Sequence, residues 1–142
     1  MNAKTNRRVP GLLAACGTVL GIWAAAHATF PYIPTVDKLI GQLGDAKAVR
    51  RTETALKLGL RGKEALPAVP VLEKAKEADP DPEVRLCALW AVAQVRAVAL
   101  EAQGDRDGAR ALLAQCEARL IAALKAEEPG VRARAAQLMG RT

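Results

Sequence analysis

The amino-acid sequence predicts an all-α protein, a short α-solenoid of about three helix hairpins. Residues 79–85 (Asp-Pro-Asp-Pro-Glu-Val-Arg) recur in weaker form at residues 44–50 and 127–132. Each copy lies between two segments whose apolar residues recur at helical spacing, so each marks the turn inside a hairpin. A single hairpin buries too little apolar surface to be stable alone, and the hairpins are therefore expected to share one continuous core.

The first predicted pair spans residues 35–62 and begins at Thr35, whose hydroxyl can cap a helix. Gly44 follows the first helix, where a left-handed residue is useful, and Asp45 is expected to cap the second helix. The apolar stripe of the first helix consists of Val36, Leu39, Ile40 and Leu43, and that of the second of Val49, Thr52, Leu56 and Leu60.

The second pair, residues 66–103, opens with Pro67 and Pro70, which are tolerated in a first helical turn. Its second helix is expected to start with Asp81 as cap and Pro82 as first residue. Apolar residues occupy two sides of this helix, so we expect it to be covered on both sides.

The third pair spans residues 108–140. The Val-Arg dipeptides begin at Val49, Val84 and Val131, which are 35 and then 47 positions apart. About twelve extra residues therefore fall in the second interval. We expect them within residues 98–107, as added turns on the second helix of pair two and a turn at residues 103–108.

The N-terminus predicts export. Lys4, Arg7 and Arg8 precede the uncharged segment 9–26, and Ala26-His27-Ala28 has the small-x-small pattern of a cleavage site. Residues 1–28 are interpreted as a signal peptide or an uncleaved signal anchor, residues 29–34 as an extended linker, and residues 35–142 as the helical domain. Either outcome places that domain outside the cytoplasm, periplasmic or extracellular, and a third alternative is lipidation at Cys16.

Composition argues against catalysis. His27 is the only histidine and lies in the leader, so residues 29–142 offer no Ser-His or Cys-His dyad and no imidazole metal ligand. We therefore predict no enzymatic activity, no cofactor and no metal. Cys87 and Cys116 lie on apolar stripes, which favours buried thiols over the alternative of a disulfide between adjacent pairs.

From residue 36 to residue 140 the chain resembles the HEAT repeats, especially the short bacterial type related to the phycobilisome-lyase HEAT-like repeat. The resemblance rests on residues 79–85 followed by Ala88, Ala91 and Val95, and it implies a right-handed solenoid in which turn carboxylates and second-helix arginines form ladders. The corresponding structural markers are Asp45, Val49, Arg50, Asp81, Pro82, Val84, Arg85, Pro129, Val131 and Arg132. Residues 104–109 are also similar to a tetratricopeptide-repeat turn.

Charge suggests where a partner binds. The three second helices, with their flanks, carry ten basic and three acidic residues, whereas the rest of residues 29–142 is net acidic. In HEAT-like proteins these helices line the concave face, so we predict that an acidic protein partner binds there. The candidate residues are Arg50, Arg51, Lys57, Arg61, Arg96 and Arg134. The alternative is that these residues only occupy solvated helix faces.

The predicted function is a non-catalytic interaction scaffold, exported or membrane-tethered. A nucleic-acid-binding module is one alternative, although Trp90 is the only aromatic residue of the helical region and base stacking is poorly supplied. A bilin-lyase-like protein is the alternative that the family resemblance implies, but no residue pattern marks a tetrapyrrole site.

Overall fold

The computed structural model describes residues 34–141, and this part of the chain is helical without any strand. The all-α prediction is confirmed. The helices are α1 (Val36–Gln42), α2 (Ala48–Gly59), a 3-10 helix (Gly62–Ala68), α3 (Val69–Ala78), α4 (Pro82–Ala102), α5 (Arg106–Ala123) and α6 (Pro129–Met139).

The predicted leader at residues 1–28, with Cys16, lies outside the described residues, as does the predicted linker apart from Pro34. No helix between residues 34 and 141 combines the length and apolar character that a bilayer crossing requires.

Side-chain caps start three of the helices. The Thr35 hydroxyl accepts from the Lys38 amide at 3.4 Å, and Asp81 Oδ1 accepts from the amides of Glu83 and Val84 at 2.9 and 3.2 Å. Both predicted caps are confirmed, and Asp105 caps α5 in the same way. Because these groups satisfy amides that have no intrahelical partner, they fix where the helices begin.

The start of α2 differs from the prediction. Lys47 occupies the N-cap position without a side-chain cap, and Asp45 Oδ1 instead accepts from the Lys47 amide at 2.8 Å inside the turn. Gly44 is not left-handed, since positive φ angles among the described glycines occur at Gly62 and Gly104. The turn closes because the Asp45 carboxylate folds back on its own backbone, so no left-handed residue is needed.

The connection between the first two pairs also differs from the prediction. A 3-10 helix already begins at Gly62, before the predicted start at residue 66, and runs directly into α3. Pro67 lies within it, and a proline lacks the N–H that an α-helix would require at that position.

Helix α4 is the centre of the fold. It packs against α2, the 3-10 helix, α3, α5 and α6. Its 21 residues include ten that are buried, and they lie on both sides of the helix, as the sequence predicted. Trp90 is 1% exposed and is the largest fully buried side chain among the described residues. The extra length relative to the 12-residue α2 accounts for part of the wider second interval.

The second helices of the three pairs pack in the order α2, α4, α6. The tightest approach in this row is at Gly59 of α2. A Cβ atom there would lie 2.5 Å from Trp90 Cζ3 and 3.0 Å from Ala91 Cα. The packing of α2 against α4 therefore requires glycine at this position, because the backbones of the two helices lie too close together for a larger residue.

Candidate functional site

One arginine in each second helix binds the preceding turn. Arg51 Nη1 donates to the carbonyl oxygens of Asp45 (2.9 Å) and Ala46 (3.3 Å). Arg85 and Arg132 repeat this arrangement, each donating to the carbonyls six and five positions earlier at 2.6–3.3 Å. These bonds satisfy carbonyls that the turn leaves without a partner. They also show which positions of the three pairs are equivalent.

The equivalent arginine of the first pair is Arg51 and not Arg50, which corrects the predicted register by one residue. Arg85 lies 34 positions after Arg51 and Arg132 lies 47 after Arg85. Val49 therefore does not correspond to the buried Val84 and Val131, and it is 70% exposed. Arg50 occupies the Val84 position instead.

Arg51 also joins the first two pairs. Its Nε and Nη2 each donate to one carboxylate oxygen of Asp79 at 2.8 Å, in a bidentate fork. The two side chains are only 12% and 8% exposed. Desolvation alone would raise the pKa of Asp79, but the hydrogen bonds from Arg51 and from the Asp81 amide, with the charges of Arg51 and Arg85, lower it below 3.8. Arg51, predicted to contact a partner, is thus engaged in the turn ladder.

The other five candidate residues are also paired with acidic side chains. Arg50 reaches Asp45 at 3.3 Å and is 65% exposed. The remaining pairs are Lys57 with Glu53, Arg61 with Glu64, Arg96 with Glu73, and Arg134 with Glu83, at 2.9–3.9 Å. Arg134 joins α6 to α4, whereas Arg50, Lys57 and Arg61 lie on α2 or just after it. The structure therefore does not gather the six side chains into one unpaired basic groove.

A concave surface with an apolar floor lies along α4 and α5. A cavity of about 430 Å³ has an apolar lining from both helices and a polar rim. Its residues are Arg96, Ala99, Leu100, Gln103, Gly108, Ala111, Leu112 and Gln115. A second cavity of about 170 Å³ shares Arg96, Leu112 and Gln115 with it and continues toward Glu73 on α3 and Arg119 on α5. We call the two cavities together the α4–α5 trough.

Charges at the trough are arranged unevenly. Glu73 is bound by both Lys76 and Arg96, the latter at 2.9 Å, so the acidic group at this end is already neutralised. Arg119 is exposed and forms no ion pair within the described residues. Of the six predicted candidates only Arg96 lies at the trough. The sequence feature that relates to this surface is the interval of 47 residues between Val84 and Val131, twelve longer than the first interval. The added residues lengthen the two helices that line the trough.

The two cysteines of the described chain are free and buried. The disulfide alternative is therefore not the arrangement found, and burial raises the pKa of Cys87 to about 12 and that of Cys116 to about 11. Within residues 34–141 no cluster of potential metal ligands is present.

Both thiols are expected to resist modification in the folded protein, because burial and the raised pKa keep the reactive thiolate scarce. Dithionitrobenzoate should label Cys87 and Cys116 only after denaturant is added, as followed by peptide mapping. Rapid labelling of either residue in the native protein would contradict the buried placement.

Comparison of the chain with protein-family models, with curated proteins and with solved structures finds no match.

Proposed function

We propose that this protein is a non-catalytic interaction module that binds an acidic segment of another protein in the α4–α5 trough. The observation that carries the proposal is the trough itself, whose apolar floor is formed by Ala99, Leu100 and Leu112. Ligand sites are typically concave and apolar with a few polar groups that fix orientation. Here Arg119 is the charged group placed to bind a carboxylate, while Arg96 is held by Glu73 at the rim.

The architecture that supports this function is a short α-solenoid of three HEAT-like pairs. Two observations favour it. Three turns bind equivalent arginines in the same way, and α2, α4 and α6 pack in sequence order. Repeat proteins of this kind use the surface of adjacent units as an extended binding face.

The binding surface differs from the second-helix face that charge alone predicted. Arg50, Lys57 and Arg61 are paired locally near the start of the domain, and Arg51 is held in the ladder. Arg96 is paired with Glu73, but it is the member of that set that lies at an open apolar surface. The partner is therefore expected to contact α4 and α5 more than α2.

Export or membrane tethering completes the proposal. Its support is the basic start, the uncharged segment 9–26 and the small residues at 26–28. The expected partner is then an exported or membrane-bound protein.

The test places a photo-crosslinking amino acid at Gln115, on the trough rim, in the full chain expressed in its native host. A partner identified by mass spectrometry is then purified and its affinity measured for variants. Arg119→Glu is expected to weaken binding about tenfold, because it sets like charge against an acidic segment. Arg110→Glu is the control, since Arg110 is exposed on the same helix and lies outside the trough, in a neighbouring cavity that Glu101 and Glu117 also line.

If both variants lose the same affinity for the partner, or if neither loses any, binding in the trough is contradicted. Retention of DNA or RNA in gel shifts at physiological salt, with affinity falling steeply as salt is raised, would instead favour the nucleic-acid alternative.

A further inference from the structure

The interface between α2 and α4 shows how the first pair receives the second. Gly59 packs against Trp90 and Ala91, and Arg51 forks onto Asp79 in the turn of the incoming pair. Ala55 lies between these two contacts at helical spacing and is fully buried. Helix α2, which receives the second pair, thus has small residues along one side and an arginine in its first turn.

Helix α6 repeats these features with nothing packed on them in the described chain. Residues equivalent to Arg51, Ala55 and Gly59 are Arg132, Ala136 and Gly140, each 81 positions later, and all three are exposed. A Cβ added at Gly140 would meet only ordinary contacts of its own helix, at 3.7 Å or more. We call Arg132, Ala133, Ala136 and Gly140 the α6 receiving face.

Arg132 is anchored as Arg51 is. Its Nη1 donates to the carbonyls of Ala126 and Glu127 at 2.8 and 2.6 Å. In Arg51 the Nε and Nη2 atoms bind the Asp79 carboxylate. The same two atoms of Arg132 have no carboxylate partner among the described residues. Residues 129–141 contain three arginines and no acidic residue. The charge of this face therefore suits an incoming carboxylate.

At the other end of the row α2, α4, α6, the outer side of α2 differs from the equivalent side of α4. On α4 the residues Val84, Ala91 and Val95 are fully buried. At the equivalent positions 34 residues earlier the first pair has Arg50, Lys57 and Arg61. Asp45, the equivalent of Asp79, is bound by Arg50 at 3.3 Å. Long cationic side chains thus cover this end, and a second copy of the chain offers the α6 face neither an aliphatic surface nor an unbound carboxylate.

We propose that the α6 receiving face docks a helix of a partner protein whose contact side is small and aliphatic and whose preceding turn supplies a carboxylate to Arg132. The interface continues the one already formed between α2 and α4. It is independent of the α4–α5 trough.

The chain itself can be turned into the probe. The triple variant R50V/K57A/R61V gives the first pair the side chains that α4 has at the equivalent positions Val84, Ala91 and Val95, and it removes the ion pair of Asp45 with Arg50. We expect this variant to self-associate head to tail at micromolar to sub-millimolar concentration, as measured by sedimentation velocity, while the wild type stays monomeric. Circular dichroism checks that each variant folds.

Two further variants separate docking from nonspecific aggregation. Adding Ala136→Glu should restore the monomer, because it puts a charge in the middle of the receiving face. Adding Ala111→Glu, in the trough, should leave the association intact. A triple variant that folds and stays monomeric, association that survives Ala136→Glu, or wild-type self-association of equal strength would each overturn the proposal. The proposed function is tested separately by partner binding of the Arg119→Glu variant, so failure here is distinguishable from failure of that proposal.

Discussion

Replacing Gly59 by alanine is expected to lower the free energy of unfolding by about 1–3 kcal/mol. The added Cβ would lie 2.5 Å from Trp90 Cζ3 and 3.0 Å from the Ala91 backbone, so α2 and α4 would have to move apart. Alanine is otherwise the better helix former by up to about 1 kcal/mol, and a loss of stability would therefore report the clash directly. Urea unfolding followed by circular dichroism measures the change.

Two glycines of the same chain serve as controls for this substitution. Gly140 is the equivalent position at the C-cap of α6, where a Cβ meets nothing closer than 3.7 Å, and Gly41 in α1 has no neighbour within 4 Å of the added atom. Alanine at either position is expected to be neutral or slightly stabilising. Equal effects at Gly59 and Gly140 would show that α2 and α4 are not in such close contact.

Replacing Asp79 by asparagine is expected to cost about 2–3 kcal/mol at neutral pH. The change removes the carboxylate fork and leaves the guanidinium of Arg51, which is largely enclosed, without its counter-charge. Asp45→Asn is the matched control, because Asp45 holds the equivalent turn position but its partner Arg50 is exposed. That control is expected to change stability little.

The same pair sets a pH dependence of stability. The pKa of Asp79 is lower in the folded chain than its ordinary value of 3.8, so the folded state binds this proton less readily than the unfolded state. The contribution is therefore fully present above the unfolded pKa and is lost as pH falls through the folded pKa. The stability difference between wild type and Asp79→Asn should begin to shrink below about pH 4 and vanish only below the folded pKa of Asp79. A difference that persists unchanged into strong acid would exclude the ion pair as its cause.

Much of the fold follows from local signals in the sequence. The Asp81 cap with Pro82, and the two apolar sides of the helix after it, correctly predict α4 and its central position. These signals are reliable because capping and periodic burial act within a few residues.

The register of the first pair could not be obtained in that way. The Val-Arg dipeptide pointed to Arg50, whereas hydrogen bonding to the turn identifies Arg51. Within residues 34–141 no pair precedes α2, and Arg50 stands where the later pairs have a buried apolar residue. The Val-Arg pattern marks a position that is buried against a preceding pair, so it is not reliable in the first described pair.

The candidate site was harder to predict, for a similar reason. Net charge along a helix reveals neither which cations are matched by a neighbouring carboxylate nor where two helices leave a concavity. Arg96 was identified from charge alone. Arg119 and the floor residues Leu100 and Leu112 became recognisable only once α3, α4 and α5 were placed together.

The central position of α4 has a consequence for how the molecule melts. Because this one helix supplies the packing surface for the helices before and after it, no pair can detach without uncovering part of the same interior. Long repeat arrays lose their ends first and unravel stepwise, since each unit touches only its neighbours. Residues 34–141, organised around one shared helix, are instead expected to unfold as a single cooperative unit, and a destabilising substitution near Trp90 is expected to weaken the pairs on both sides of α4.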